Sequence, residues 1–377
     1  MALIKINTRS IPDDAVTPAK VSQNLGRRNL IINGAMQVAQ RGTTFTTPAS
    51  DGQLTDRWSV LANVNGASKV TYSQVTDSPN EFAYSIKADV ATALTPLGAS
   101  DYHIFRYNGF EQQDINQLAM GSSDAKEMTL SFWVKSNKTG TLAAELQMNS
   151  VEAGGASVEL GKTYTINAAN TWEKKTLTYS ANTGHTSNQS GASRGMLLYM
   201  WVASGSNYQA GSIDTTWGVN NNRTTGMDNY LDSTSNEIYW TGFQLEAGDT
   251  ATDFEHRSYG EELALCQRYF WQQTYDSTNA PVCSSAFWST NSNIEWIVNY
   301  PQTMRAAPTI SIPTIASLYA LQAQVAWRQL SSYSLNEIGT KFGKLSGPAA
   351  TNTSHVRGEG SVVGLRASGS INYDAEL

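Results

Sequence analysis

YWTGFQLEAGDTATDFEHRSYGEELALCQRYFW, residues 239–271, changes its hydrophobic period partway along. The first part alternates as a strand does: Tyr239, Thr241, Phe243 and Leu245 fall on one face. Ile238, Trp240, Gly242, Gln244 and Glu246 fall on the other. Gly248-Asp249 breaks the pattern, and Asp253, Phe254, Glu255, His256 and Arg257 form a charged connector. From Glu261 the period is helical, with Leu263, Gln267 and Phe270 on one side and Leu265 and Tyr269 beside them. Glu261 and Glu262 sit in the first turn, where the helix dipole favours anions. The change of period predicts the last strand of one domain followed by a linker helix over residues 258–279.

Upstream, residues 29–257 carry strand signals separated by turns. They predict strands at Ser68–Thr76, Ala83–Asp89, Tyr102–Tyr107, Met128–Ser136, Leu142–Asn149, Trp172–Ser180, Met196–Ala203 and Glu237–Ala247. Met128, Leu130, Phe132 and Val134 point one way, while Thr129, Ser131 and Lys135 make a wetter face. Met196–Ala203 is apolar on both faces and reads as a central strand, or one covered by a neighbour. About eight strands with turn-rich joins predict an antiparallel β-sandwich, most simply a jelly roll, with one helix at Glu111–Ala119. Downstream, residues 280–377 read as a second, smaller β-sandwich. Its strands are expected at Ser285–Ser289, Asn293–Tyr300 and Thr309–Pro313, with Ser361–Arg366 and Ser368–Tyr373 as a terminal pair. Ile315–Ser331 fits strand or helix, and strands are favoured. Residues 1–28 are polar and poor in large apolar side chains, and read as an extended arm that orders against a partner.

Composition narrows the function classes. The chain has 377 residues, enough for two domains. Charged residues make up 15%, and aromatic residues make up 10%, enough to build cores. The net charge of −6 argues against nucleic acid, as does the lack of any basic cluster beyond Arg27-Arg28. Apolar runs fall far short of the ~20 residues that a membrane-crossing helix needs. The N-terminus lacks an apolar segment of signal-peptide length. Cys266 and Cys283 read as free buried thiols, consistent with assembly in a reducing cytoplasm. Fixed-period repeats are lacking, against a solenoid.

Several segments carry a family resemblance. QLE-x-G-x-x-AT-x-FEHR with YGEELALCQRY resembles a segment of bacteriophage tail-fibre and virion appendage proteins, where it ends a carbohydrate-binding-module-like jelly roll. NLIINGAMQVAQRGTT with DRW (Asn29–Thr44, Asp56–Trp58) resembles the opening of that domain, and MTLSFWVKSNKTGTL (Met128–Leu142) one of its central strands. MRAAPTI (Met304–Ile310) and the final DAEL (Asp374–Leu377) resemble fibre tip domains. The resemblance implies a non-enzymatic virion fibre or appendage subunit, tail- or capsid-attached, that adheres to bacterial surface polysaccharide. It also implies a homotrimer in contact with other virion proteins. The arm, including Ile11, Pro12, Asp13, Asp14 and Val16, would anchor it; residues 29–257 would be the jelly roll, 258–279 the linker and 280–377 the tip. A purely structural capsid or baseplate role, without host binding, is the alternative.

Chemistry-bearing motifs are sparse. GxSxG, HExxH, P-loop and CxxC patterns do not occur, and His103, His185, His256 and His355 have no ligand spacing. A glycan depolymerase would need two acids roughly 5–9.5 Å apart across a cleft. Asp228 with Asp232, or Asp214 near Trp217, could supply such a pair. Sugar binding without chemistry needs an aromatic ring to stack on a pyranose, with amides and acids to bond its hydroxyls. Two long polar loops, Asn182–Ser193 and Gly205–Ser235, are candidates for carrying such a site. In the second, Trp217 and Tyr230, with Tyr208, Asn220, Asn222 and Asp228, have that makeup; packing on a neighbouring subunit fits Trp217 as well. No cofactor is expected, although Gln244, Glu246 and Asp249 could contribute to a structural calcium site.

Overall fold

The computed structural model describes residues 27–46, 52–64, 69–219, 222–275, 280–312, 318–322, 326–349, 357–358, 360–365 and 369–376. The arm and its proposed anchoring residues Ile11, Pro12, Asp13, Asp14 and Val16 lie outside the described residues, as does Asn220.

Two hydrophobic cores form. The first unit contributes β1 (Thr44–Thr46), β2 (Gly52–Gln53), β3 (Trp58–Asn63), β4 (Val70–Val75), β5 (Ser85–Val90) and β6 (Tyr102–Glu111). A short α1 (Gln112–Ile115) follows, and then β7 (Met128–Ser136), β8 (Gly140–Asn149), β9 (Ser157–Ile166), β10 (Glu173–Tyr179), β11 (Arg194–Ser204) and β12 (Glu237–Ala247). They form two six-stranded antiparallel sheets, ordered β1-β4-β5-β12-β7-β10 and β2-β3-β6-β11-β8-β9. The hairpins β2-β3, β4-β5 and β8-β9 stay within a sheet, and the other connections cross between the two sheets, as in a jelly-roll sandwich. The expected strands are present, Met128–Ser136 and Glu237–Ala247 with the bounds expected. β1, β2, β3 and β9 are additional. β11 is central and buried along almost its whole length, as its apolar faces predict.

The reading of β12 needs correction. Ile238, Trp240, Phe243 and Leu245 all point into the first core. A register shift against β7 between Thr241 and Gln244 marks a bulge, and Gly242 there has φ of 65°. The extra residue inverts the inward parity, so Tyr239 lies on the opposite side from Phe243. Strict alternation cannot anticipate that inversion.

The bulge receives the segment that opens the unit. Leu30 N donates to Leu245 O (2.9 Å), Phe243 N to Gly34 O (3.0 Å) and Asn29 Nδ2 to Phe243 O (3.0 Å). The connector completes the clasp: Glu255 Oε2 accepts from the backbone N–H of Arg28 (2.8 Å) and Asn29 (2.7 Å). Asn33, wholly buried with φ of 58°, is the hub. Its Nδ2 donates to Val38 O (2.8 Å) and Asp56 O (2.9 Å), its Oδ1 accepts from Val38 N (2.9 Å), and its carbonyl accepts from Trp58 Nε1 (3.1 Å). NLIING, DRW and FEHR are therefore one interlocked element, although separated widely in sequence.

α2 spans Tyr259–Gln267, shorter than the linker expected over 258–279. Ser258 caps it, its Oγ accepting from Glu261 N (3.3 Å). Its buried face is Glu262 and Cys266, with Leu263 and Gln267 only partly covered. From Phe270 the chain is already a strand, because Trp271 must reach the second core, where it stacks on Tyr373 (4.7 Å), while Phe270 and Gln272 face the other way.

The second unit has β13 (Phe270–Tyr275), β14 (Ala280–Trp288), β15 (Asn293–Asn299), β16 (Thr309–Ser311) and β17 (Leu318–Gln322). It continues with β18 (Ala326–Gln329), β19 (Ser334–Ile338), β20 (Phe342–Pro348), β21 (Gly360–Leu365) and β22 (Gly369–Asp374). A three-stranded sheet, β13-β22-β16, faces a seven-stranded one, β18-β17-β21-β14-β15-β20-β19. β21 and β22 are strands as expected but belong to different sheets, so they are not a terminal pair. β17 and β18 form a hairpin within Ile315–Ser331.

The units abut through buried charge rather than through a lone helical rod. Arg57, fully buried, ion-pairs with Glu376, donates to Gly109 O and lies over the rings of Tyr269 (3.5 Å) and Tyr107 (5.0 Å). Arg268 makes a two-pronged bond to Glu111 (2.7 and 2.8 Å), and Arg305 Nη1 donates to Ala192 O (3.1 Å).

Two outcomes are expected. Asn33→Ala removes the side-chain half of the hub, and chemical denaturation should register a loss of about 2–4 kcal/mol. Glu376→Ala strands a buried guanidinium and should cost roughly 3–5 kcal/mol by the same measurement; a change within error would refute the bridging role.

Candidate functional site: a groove on the outer face of one sheet

In the β2-β3-β6-β11-β8-β9 sheet, register fixes which side chains face away from the core. Tyr199 pairs with both Arg106 and Glu145, Leu197 with Gln147, and Gln147 with Glu159, giving an outward layer of polar groups. A hydrogen-bond chain runs through it. Tyr199 Oη donates to Gln147 Oε1 (3.1 Å), Gln147 Nε2 to Glu145 Oε1 (3.4 Å), and Trp201 Nε1 to Glu145 Oε2 (2.7 Å).

The loop expected at Gly205–Ser235 covers one side of this layer. Glu159 N donates to Gly218 O (2.9 Å), and Arg223 ion-pairs with Glu159 and approaches Glu145 (3.6 Å). Arg223 also lies over Trp201 (5.8 Å) and Tyr208 (5.6 Å). Gly161 is required there, since a Cβ would stand 2.2 Å from Arg223 O.

The sequence-derived sugar residues are thus part of a cover. Trp217 is 8% exposed and its Nε1 donates to Ser180 O (2.8 Å), so its ring has no face free for a pyranose. Tyr230 is 1% exposed, belongs to the first core and donates to Lys138 O (3.2 Å). The reading of these two as exposed stacking rings is corrected on that ground. Tyr208 packs edge-on against Tyr102 (5.8 Å). Asp228 Oδ2 accepts from Thr141 N (2.7 Å), Asp232 binds Lys138 (2.8 Å), and Asp214 accepts from Asn222 N. These acids fasten loop to strand and do not converge on a cleft. Asn222 returns its carbonyl to Asp214 N (3.0 Å).

Gln244 and Glu246 also have local partners. Glu246 accepts from Thr252 N (2.8 Å), Thr252 Oγ1 (2.7 Å) and Gln244 Nε2 (3.1 Å), and Gln244 Oε1 accepts from Glu255 N (2.8 Å). Asp249 Oδ1 accepts from Thr250 Oγ1 (2.9 Å). This network closes the connector onto β12, and the described residues hold no cluster of three acidic, histidine or cysteine side chains suited to a metal.

Beyond the cover, the layer opens into a cavity of about 580 Å³. Tyr199, Leu197 and Gln147 line its floor; Asn149, Ser157, Gln189 and Ser193 bring amides and hydroxyls; Arg194 and Arg305 bring two guanidiniums. Gln189 and Ser193 come from the Asn182–Ser193 loop, which sequence length singles out, whereas Arg305 comes from the second unit. Arg305 hydrogen-bonds only carbonyls, those of Ala375 (2.9 Å), Glu376 (3.0 Å) and Ala192. Among the described residues, no carboxylate lines the cavity.

Burial pushes Glu145 up to about 8, against the nearby Arg223, with Glu159 adding to the rise. Burial likewise pushes Tyr199 up to about 12. Because the folded value of Glu145 exceeds the ordinary 4.5, the fold prefers the protonated acid. Its stabilising contribution is full below pH 4.5 and is lost as pH rises to about 8. Asp56, pushed up to about 6 by burial, acts with the same sign, so the comparison between two proteins is the readout. The thermal midpoint should fall more between pH 5 and 8 for the wild type than for Glu145→Gln; equal slopes would contradict this assignment.

No protein-family model and no curated protein sequence matches the chain. Among solved structures, similarity extends to the enzymatically active domain of tailspike protein 4 of bacteriophage CBA120, at 17% identity and TM-score 0.31, over 58% of this chain and 21% of that one. The CBM22-2 xylan-binding domain of Paenibacillus barcinonensis Xyn10C is similar at 11% identity and TM-score 0.28, over 51% and 91%. The family 11 carbohydrate-binding module of Clostridium thermocellum, solved with a β-1,3-1,4-mixed-linked tetrasaccharide, is similar at 12% identity and TM-score 0.28, over 55% and 98%. At these scores the likenesses assign no function.

Proposed function

We propose that this chain is a non-catalytic glycan-binding subunit of a virion appendage and that its ligand seats in the outer groove. The observation that carries the binding reading is the groove's lining: a tyrosine–glutamine floor, a rim of amides and hydroxyls, and two guanidiniums without an opposing acid. Neutral donors and acceptors of this kind match sugar hydroxyls, and a volume of about 580 Å³ suits a short oligosaccharide. Arg194 and Arg305 favour a saccharide bearing carboxylates, such as a uronate.

Hydrolysis by paired acids fits poorly. Glu145 and Glu159 lie beneath the covering loop and hold Arg223, while the groove itself presents no carboxylate. The virion setting rests on the NLIING, FEHR and YGEELALCQRY resemblance, and with it the homotrimer, whose repeated weak sites would act together.

A glycan array probed with the full chain should show binding to acidic surface polysaccharides. Gln147→Ala with Arg194→Ala should weaken it at least tenfold in protein that keeps a cooperative thermal transition. Absence of binding to any polysaccharide would favour the purely structural role, and release of reducing ends would overturn the non-catalytic reading.

A further inference from the structure

The three-stranded sheet of the second unit has two faces. Trp271, Ile371 and Tyr373 face the second core. Phe270, Gln272, Asn372, Asp374, Thr309 and Ser311 occupy the opposite face, as register dictates: Gln272 and Ser311 both pair with Asn372, and Phe270 and Thr309 with Asp374. This second face is not left bare. It forms one wall of a cavity of about 720 Å³ whose other wall, Arg41, Phe45 and Gln53, belongs to the first unit.

We infer that this inter-unit groove is a second saccharide site, selective for neutral oligosaccharides; the inference rests on the glycan-binding reading of the chain. Gln272, Asn372 and Ser311 make one cross-strand row of amides and a hydroxyl. A single amide–amide bond, Gln272 Nε2 to Asn372 Oδ1 (3.0 Å), leaves the row with donors and acceptors to offer. A sugar hydroxyl uses both, whereas a carboxylate or phosphate uses donors alone. Gln53, Thr309 and Ser311 are exposed along the groove, and the Phe45 ring is partly exposed at its rim, providing an apolar surface for a pyranose face.

Charge sets the selectivity. The lining carries one cation against two acids. Arg41 is held by Asp374 (2.7 Å) and lies 3.6 Å over the Phe270 ring, while Glu376 is paired with Arg57. Both acids and Arg41 are therefore already paired, so an anionic sugar would meet no uncompensated cation, unlike in the Arg194–Arg305 groove.

Isothermal titration of the full chain separates the two sites. Probes are neutral tetrasaccharides of glucose, galactose and mannose, and a uronate-containing tetrasaccharide. Gln272→Ala with Asn372→Ala should weaken binding of a neutral tetrasaccharide at least tenfold and leave the uronate probe unaffected. Ser311→Trp, which fills the groove from an exposed position without removing a fold contact, should do the same with an unchanged thermal midpoint. Gln147→Ala with Arg194→Ala should show the converse. Neutral binding unaffected by both groove variants, or no neutral binding by the wild type at millimolar concentration, overturns the second site whatever happens at the first. Loss of uronate binding alone bears only on the outer groove.

Discussion

A guanidinium withdrawn from water dictates much of this architecture. Arg57 has no solvent access, and an isolated charge in that position would be prohibitive. Everything around it answers that demand: the Glu376 carboxylate, the Gly109 carbonyl and the faces of Tyr269 and Tyr107. Its neighbours in the DRW triplet serve the same junction, Asp56 holding the Gln40 backbone (2.7 Å) and Trp58 reaching the Asn33 carbonyl. Three consecutive residues thus tie the opening segment, the first core and the second unit together. The two sandwiches have separate cores but cannot turn freely about α2 without breaking this contact.

Much of the fold was legible because apolar alternation survives where strands are regular. β7 and β12 kept their expected bounds, and β11 read correctly as a central strand. Legibility failed where one residue has a tertiary reason that its neighbours do not display. At Gly242 the inserted residue inverts the inward set, and a Cβ there would meet the Phe82 ring at 2.5 Å. β9 is hard to read because Gly161 and Lys162 interrupt its pattern, and Gly161 is there to admit the Arg223 carbonyl. Sequence spacing extends α2 too far because the 263/267/270 pattern suits a helix, although Trp271 and Tyr373 need a strand.

The candidate site was less legible still. Trp217, Tyr230 and Asp228 have the composition of a sugar site, but composition does not distinguish a ring that meets a ligand from one that seals a sheet. Their burial and their bonds to Ser180, Lys138 and Thr141 put them in the second class. The groove that does open gathers Gln147, Gln189, Arg194, Tyr199 and Arg305, residues brought together by strand register and by contact between units. Loop length was the one surviving signal, since Asn182–Ser193 supplies part of the rim.

The position of β22 has a consequence for biosynthesis. It is the middle strand of its sheet, yet the ribosome makes it after both neighbours, and Gln272 meets Asn372 across 100 residues. During translation β13 and β16 must remain unzipped, with both inner edges bare, until the centrepiece emerges. Such distant pairing is slow, and Arg57 lacks its counter-ion for the same interval. The first sandwich can condense while its sibling is still being made, so the vulnerable period for mispairing belongs to the second unit.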